Sequence, residues 1–96
     1  MGVDSVSKKP IAPDVLVTAL SLAIQERRKE LRLSQDEVAR RAGLHRTYIS
    51  EVERHSRNFS IKIFMRLSSA LETDPSTLMR NAEAMATLER KPTKRG

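Results

Sequence analysis

The stretch from Ser34 to Asn58 constrains this chain more than any other, because it writes two short helices and the turn between them. Ser34 is followed three residues later by Glu37, the spacing of a capping box. The serine oxygen accepts the backbone N–H of residue 37 and the glutamate reaches back to residue 34. The helix so opened carries Val38, Ala39 and Ala42 on one apolar face. Gly43 comes immediately afterwards, where a left-handed helix ending is cheapest for glycine. Leu44 can fill the corner. A second helix then places Ile49 and Val52 inward on one stripe, leaving Arg46, Thr47, Ser50, Glu51 and Arg54 on the other side.

Small residues at the crossing let the two helices pack closely and leave the outer face of the second free for a partner. That is the layout of a helix-turn-helix, whose second helix enters the DNA major groove. Pattern alone also allows an ordinary helical hairpin with a solvated polar face.

The stretch resembles the lambda-repressor-like, or Xre-type, family of bacterial and phage regulators. The resemblance is carried by Leu33-Ser34-Gln35, Val38-Ala39, Ala42-Gly43, Tyr48-Ile49-Ser50 and Glu53-Arg54. Within that family the run from His45 to Lys62 is most similar to the controller proteins of restriction–modification systems, which carry a like Arg-Thr-Tyr-Ile-Ser…Glu-Arg…Ser-Arg-Asn…Ile-Lys string. The resemblance covers about residues 14 to 80. It implies an all-α fold, a compact five-helix bundle with a helix-turn-helix, acting as a homodimer on double-stranded DNA.

Composition narrows the alternatives. Ninety-six residues suffice for one small domain, and with three aromatic residues the core must be aliphatic. There is no cysteine, so disulfides and thiolate metal sites are excluded. No apolar run approaches the roughly 18 residues of a membrane span, and Met1 to Lys9 lacks the apolar stretch of a signal peptide. The expected compartment is the cytoplasm.

The net charge of +6 is unevenly placed. Arg40, Arg41, Arg46, Arg54, Arg57, Lys62 and Arg66 face only Glu51 and Glu53, whereas Glu72 to Glu89 is net acidic. A basic patch around the second motif helix suits a phosphate-facing side. A solvated mixed-charge surface is the plainer reading.

Residues 1–13, with two prolines and two lysines, read as a flexible N-terminal arm in which Lys8 and Lys9 can touch DNA. Residues 14–89 read as the helix-turn-helix domain with a C-terminal dimerisation helix, and residues 90–96 as a basic disordered tail. Asp14 can cap a first helix over Val15 to Arg32, with Leu16, Leu20, Ala23, Ile24 and Leu31 as its apolar stripe. The family resemblance pairs Arg28 with Glu53; no spacing rule excludes a surface role for it. Ser60 is a natural cap for a helix over Ile61 to about Leu71, with Ile61, Phe64, Leu67 and Leu71 apolar. Phe59 and Ile63 fall outside that stripe and belong either to a dimer seam or to the core edge. Thr73-Asp74-Pro75 opens a last helix carrying Leu78, Ala82 and Met85, with Met79, Met85 and Leu88 as soft surface for a partner helix.

The candidate DNA-binding residues are Gln35, Arg46, Thr47, Tyr48, Ser50, Glu51, Arg57 and Asn58. Arg46, near the start of the recognition helix, can bond guanine O6 and N7 together, and Thr47 can reach a base edge, a thymine methyl or a phosphate. Tyr48 and Ser50 suit phosphate oxygens, although Tyr48 can also be partly core. Glu51 either accepts a cytosine amino group or turns away. The resemblance gives Gln35 a phosphate contact at a helix N-terminus and turns Arg57 and Asn58 toward DNA. His45 departs from the Asp, Ser or Thr expected at a helix start; it caps weakly or meets a phosphate.

The functional expectation is a sequence-specific transcriptional regulator on a palindromic operator, of the controller autoregulator kind. The competing expectation is an antitoxin or other interaction module of the same fold, whose C-terminal helix binds a protein partner and whose DNA binding is secondary. No Gly-rich phosphate loop, nucleophile set or metal cluster is written in the sequence, so no enzyme activity, cofactor or metal is expected.

Overall fold

The computed structural model describes residues 10–54 and 58–90, with side chains through 87. The expectations for Lys8, Lys9, Arg57 and residues 91–96 lie outside the described residues. Five helices follow in order: α1 (Pro13–Glu30), α2 (Gln35–Ala42), α3 (Arg46–Glu53), α4 (Ile61–Ala70) and α5 (Pro75–Arg90). The all-α expectation holds, with the two motif helices in place as α2 and α3.

The core is aliphatic. Ile24, Val38, Ile49, Val52, Leu67, Leu71 and Leu78 are fully enclosed, and each such side chain stabilises the fold by about 1.5–3 kcal/mol when removed from water. Ala19, Ala23, Ala39, Ala42, Ala82 and Ala86 fill the narrow spaces where helices cross. α1 packs chiefly along α5, while α2 packs on α3 and α4. Leu44 is half-buried at the corner, as expected.

Local chemistry sets the helix limits. α1 starts at Pro13, with Ala12 in the cap position and no side-chain cap bond. Asp14 is therefore inside the first turn rather than before it. Proline at the first helical position needs no N–H and presets the backbone angle, so it takes the start that Asp14 was expected to supply. Asp14 still favours the positive end of the helix dipole. α1 ends at Glu30, two residues short of the expected Arg32, because Arg32 adopts a left-handed φ of 59°.

The ends of α1, α2 and α4 share one pattern. Leu33 N–H reaches Arg28 O, Leu44 N–H reaches Ala39 O and Thr73 N–H reaches Ser68 O, each spanning a left-handed residue. These are Schellman endings, which satisfy carbonyls the helix leaves open. Only that of α2 uses glycine, Gly43 at φ 70°; Arg32 and Glu72 fill the position in the other two.

In α4 the Ser60 hydroxyl accepts Ile63 N–H at 3.2 Å, as expected of its cap. The apolar stripe differs from expectation at one residue. Ile61 is 73 % exposed, whereas Ile63 packs against the core. As the first residue of α4, Ile61 lies on the same helix face as Met65, one turn on, and Met65 is also exposed. Phe59 settles at the core edge, its ring 6.2 Å from that of Phe64.

Candidate nucleic-acid interface

The recognition helix is held from below by a buried ion pair. Arg28 of α1 donates from Nε to Glu53 Oε2 at 2.7 Å and from Nη2 to Glu53 Oε1 at 2.9 Å. Its Nη1 donates to Leu33 O at 2.9 Å. The Glu53 side chain is only 2 % exposed. Two amides complete its shell: Gln35 Nε2 at 2.9 Å and Gln25 Nε2 at 3.4 Å, both on Oε1. A carboxylate at the end of α3 thus ties together α1, α2 and α3. The hydrogen bond to Glu53 raises the Arg28 pKa, outweighing the opposing effect of burial.

This network revises the reading of Gln35. The residue does open α2, but one N–H of its side-chain amide is committed inward to Glu53. Ser34 caps the same helix as the spacing predicts: its Oγ accepts Glu37 N–H at 3.0 Å, and Glu37 Oε1 accepts Ser34 N–H at 2.8 Å. The backbone bond from Ser34 holds the Glu37 carboxyl below its ordinary pKa.

The basic patch also divides. Arg66 donates to the carbonyls of Ala42 and Gly43 at 3.0 and 2.9 Å, and Arg41 donates to Ala70 O at 3.1 Å and to Glu72 Oε2 at 3.0 Å. Arg27 donates to the carbonyls of Leu71 and Glu72 at 2.9 and 3.0 Å. These arginines satisfy helix ends, where cations are favoured by the dipole. Their sequence partners are 23 to 45 residues away, so no local spacing announces them.

What remains is the outer face of α3. Ile49 and Val52 are fully buried beneath it. Arg46 and Thr47 are exposed at its start, and neither is in an ion pair or side-chain hydrogen bond among the described residues. Ser50 is half-buried; its Oγ accepts from Arg54 Nη1 at 2.6 Å and keeps its own proton to donate. Tyr48 and Glu51 are half-buried, and each is engaged with a neighbouring group. Asn58 is exposed before α4. His45 occupies the cap position of α3 but makes no side-chain cap bond. Among the described residues no group of three His, Asp or Glu side chains is placed to hold a metal ion, and no helix is long and apolar enough to cross a membrane.

The arrangement is a second helix anchored through its buried face and presenting Arg46 and Thr47 outward. Residues 24–78 match the helix-turn-helix family. Over 55 residues the chain is 40 % identical to the control protein C.BamHI of Bacillus amyloliquefaciens, a match spanning 57 % of this chain and 68 % of that protein. It belongs to the helix-turn-helix family of controller proteins. A second such relative, the control protein C.SmaI of Serratia marcescens, is 45 % identical over 47 residues, 49 % of this chain and 56 % of that one. The controller fold also superposes on the restriction–modification controller protein C.Esp1396I, solved as a tetramer on its natural 35 base-pair operator, with a TM-score of 0.71 and 30 % identity over 75 % of this chain and 95 % of that one.

Proposed function

We propose that this controller protein binds a roughly palindromic operator as a homodimer and regulates transcription from it, its own gene included. The observation that carries the reading is the outer face of α3, fixed from below by Arg28 and Glu53 and opening on uncommitted Arg46 and Thr47. Two copies of α3 enter successive major grooves about 34 Å apart. Arg46 and Thr47 read bases. Ser50, Tyr48, Asn58 and Arg57, with the second N–H of Gln35, position the helix on phosphates. Glu51, half-buried and engaged, serves orientation rather than readout. The regulator works in the cytoplasm, where its operator lies, and its role is binding rather than catalysis.

We assign the dimer seam to the exposed face of α4 rather than to the soft face of α5. Phe59 and Ile63 pack on the core, as do Met79 and Met85 of α5. Ile61 and Met65 are the exposed apolar pair of α4, and a groove of about 320 Å³ beside Ile61 is walled by Val17, Leu20, Phe59 and Phe64. A second copy covers this surface.

Selection of bound duplexes from a random pool at near-physiological salt, with the mass of the recovered complex, tests the reading. A palindromic motif carrying two or four protomers supports it. Salt-sensitive binding without a motif would contradict it and turn attention to the antitoxin-like alternative. The control-protein relatives argue against that alternative.

A further inference from the structure

The donors around the Glu53 carboxylate are unequally shared between its two oxygens. Oε2 accepts from Arg28 Nε at 2.7 Å. Oε1 accepts from Arg28 Nη2 and from Gln35 Nε2, both at 2.9 Å, while a third donor, Gln25 Nε2, stands at 3.4 Å. A carboxylate oxygen offers two lone pairs. The two short bonds fill them, and Gln25 is held at the outer limit of bonding distance. Gln25 lies one turn before Arg28 on α1, so both side chains reach down the same face. Gln25 and Gln35 thus approach one oxygen from two different helices, and Gln35 is the nearer. The Glu53 side chain is 2 % exposed, so bulk water cannot replace a donor that leaves. An ionised acceptor left unpaired at such a depth is costly.

We propose that Gln25 is a positioning residue for DNA binding. As the second N–H of Gln35 engages a phosphate and that amide is drawn outward, Gln25 closes on Glu53 Oε1 and keeps the buried carboxylate paired. The proposal rests on the DNA-binding reading above. Closing from 3.4 Å to the 2.9 Å of a full bond moves the Gln25 amide by about half an ångström, less than a change of rotamer. Both glutamines are half-buried, with their outer sides open to solvent. The exchange lets Gln35 loosen its inward bond without leaving a lone pair of Glu53 empty, so the anchor of α3 stays intact while α2 engages the backbone. Gln25 touches no DNA in this scheme and acts through Glu53 and Gln35.

The test compares Gln25→Met, Gln35→Met and the double variant with the unaltered full chain. Denaturant titration without DNA reads stability. Affinity is read with a duplex recovered from random-pool selection, its single-base variants and an unrelated duplex. In the free protein either amide fills Oε1, so Gln25→Met alone leaves the unfolding midpoint unchanged and lowers it once Gln35→Met is present. On DNA, Gln25→Met weakens binding of the selected duplex by about three- to tenfold per protomer. Every single-base variant weakens by the same factor, because phosphate contacts carry no sequence information. Gln25→Met adds little to the affinity loss of Gln35→Met, which has already removed the amide that moves. Circular dichroism checks the fold, and the two single variants decide the proposal even if the double variant does not fold. A lowered midpoint for Gln25→Met alone gives the residue a merely structural role, and an unchanged affinity removes the exchange. Either result overturns the proposal, as do affinity losses that multiply in the double variant, and all three leave the DNA-binding reading standing. Equal, motif-free binding to the selected and unrelated duplexes overturns that reading, and this proposal with it.

Discussion

Arg41 and Arg66 cap each other's helices. Arg41, at the end of α2, donates to Ala70 O at the end of α4, and Arg66, within α4, donates to Ala42 O at the end of α2. The two C-termini are cross-satisfied, which locks the motif turn to the helix behind it. Gly43 sits in the middle of this exchange. A Cβ there would lie 2.7 Å from Arg66 Nη2, on a backbone with φ of 70°.

Gly43→Ala is therefore expected to cost about 1–2 kcal/mol for the left-handed backbone, with an added cost for displacing Arg66. Arg66→Ala alone costs about 1 kcal/mol for the lost carbonyl bonds. The double variant should lose less than the sum, because the clash vanishes with the guanidinium. Denaturant titration of the four proteins measures the coupling; strict additivity would contradict the account.

Glu53→Ala leaves Arg28 buried without its carboxylate and is expected to cost about 3–5 kcal/mol. For a domain of this size that lowers the melting temperature by on the order of 15 °C or more. Arg28→Met combined with Glu53→Leu should recover much of the loss, since an apolar pair of like volume can replace a buried ion pair. Thermal scans of both variants decide it; a marginal effect of Glu53→Ala would show that the pair does not anchor α3.

Arg32→Gly is expected to stabilise the protein. Arg32 holds a left-handed backbone at the end of α1 that costs a residue with a Cβ about 1–2 kcal/mol. Glycine's greater freedom in the unfolded chain offsets part of this, leaving a gain of about 0.5–1 kcal/mol. A lower unfolding midpoint would contradict it.

Ile61→Glu with Met65→Glu places charge on the exposed face of α4 without touching the core. Sedimentation should show the protein shifted to monomer, with helicity unchanged. Operator affinity should fall at low protein concentration, where dimerisation limits binding. Persistence of a tight dimer would place the seam elsewhere.

The parts of this molecule written in short-range spacing were legible in the sequence. Ser34 with Glu37, Gly43, Ser60 and Pro75 each mark a helix boundary through a bond or angle local to the residue, and each stands where expected. The Arg28–Glu53 pair joins residues 25 apart and was reached through family resemblance, not through any spacing. Arg41 and Arg66 read as phosphate-facing cations because charge composition does not say where a long side chain points. Arg32 reads as part of α1 because nothing in its side chain marks a left-handed position. Ile61 reads as a core residue because one apolar residue more or less at a helix start fits the same period, and burial, not pattern, decides which faces inward.

In the proposed complex Arg46 reads a base while the surrounding contacts only position the protein. The most direct measurement is the affinity of Arg46→Ala for the selected operator and for each single-base variant of it. The account predicts lost discrimination at one or two positions per half-site, worth about 1–3 kcal/mol, with other positions still distinguished. If Arg46→Ala weakens every sequence equally and keeps the full preference, Arg46 is a phosphate contact and the assignment of readout to the start of α3 is wrong.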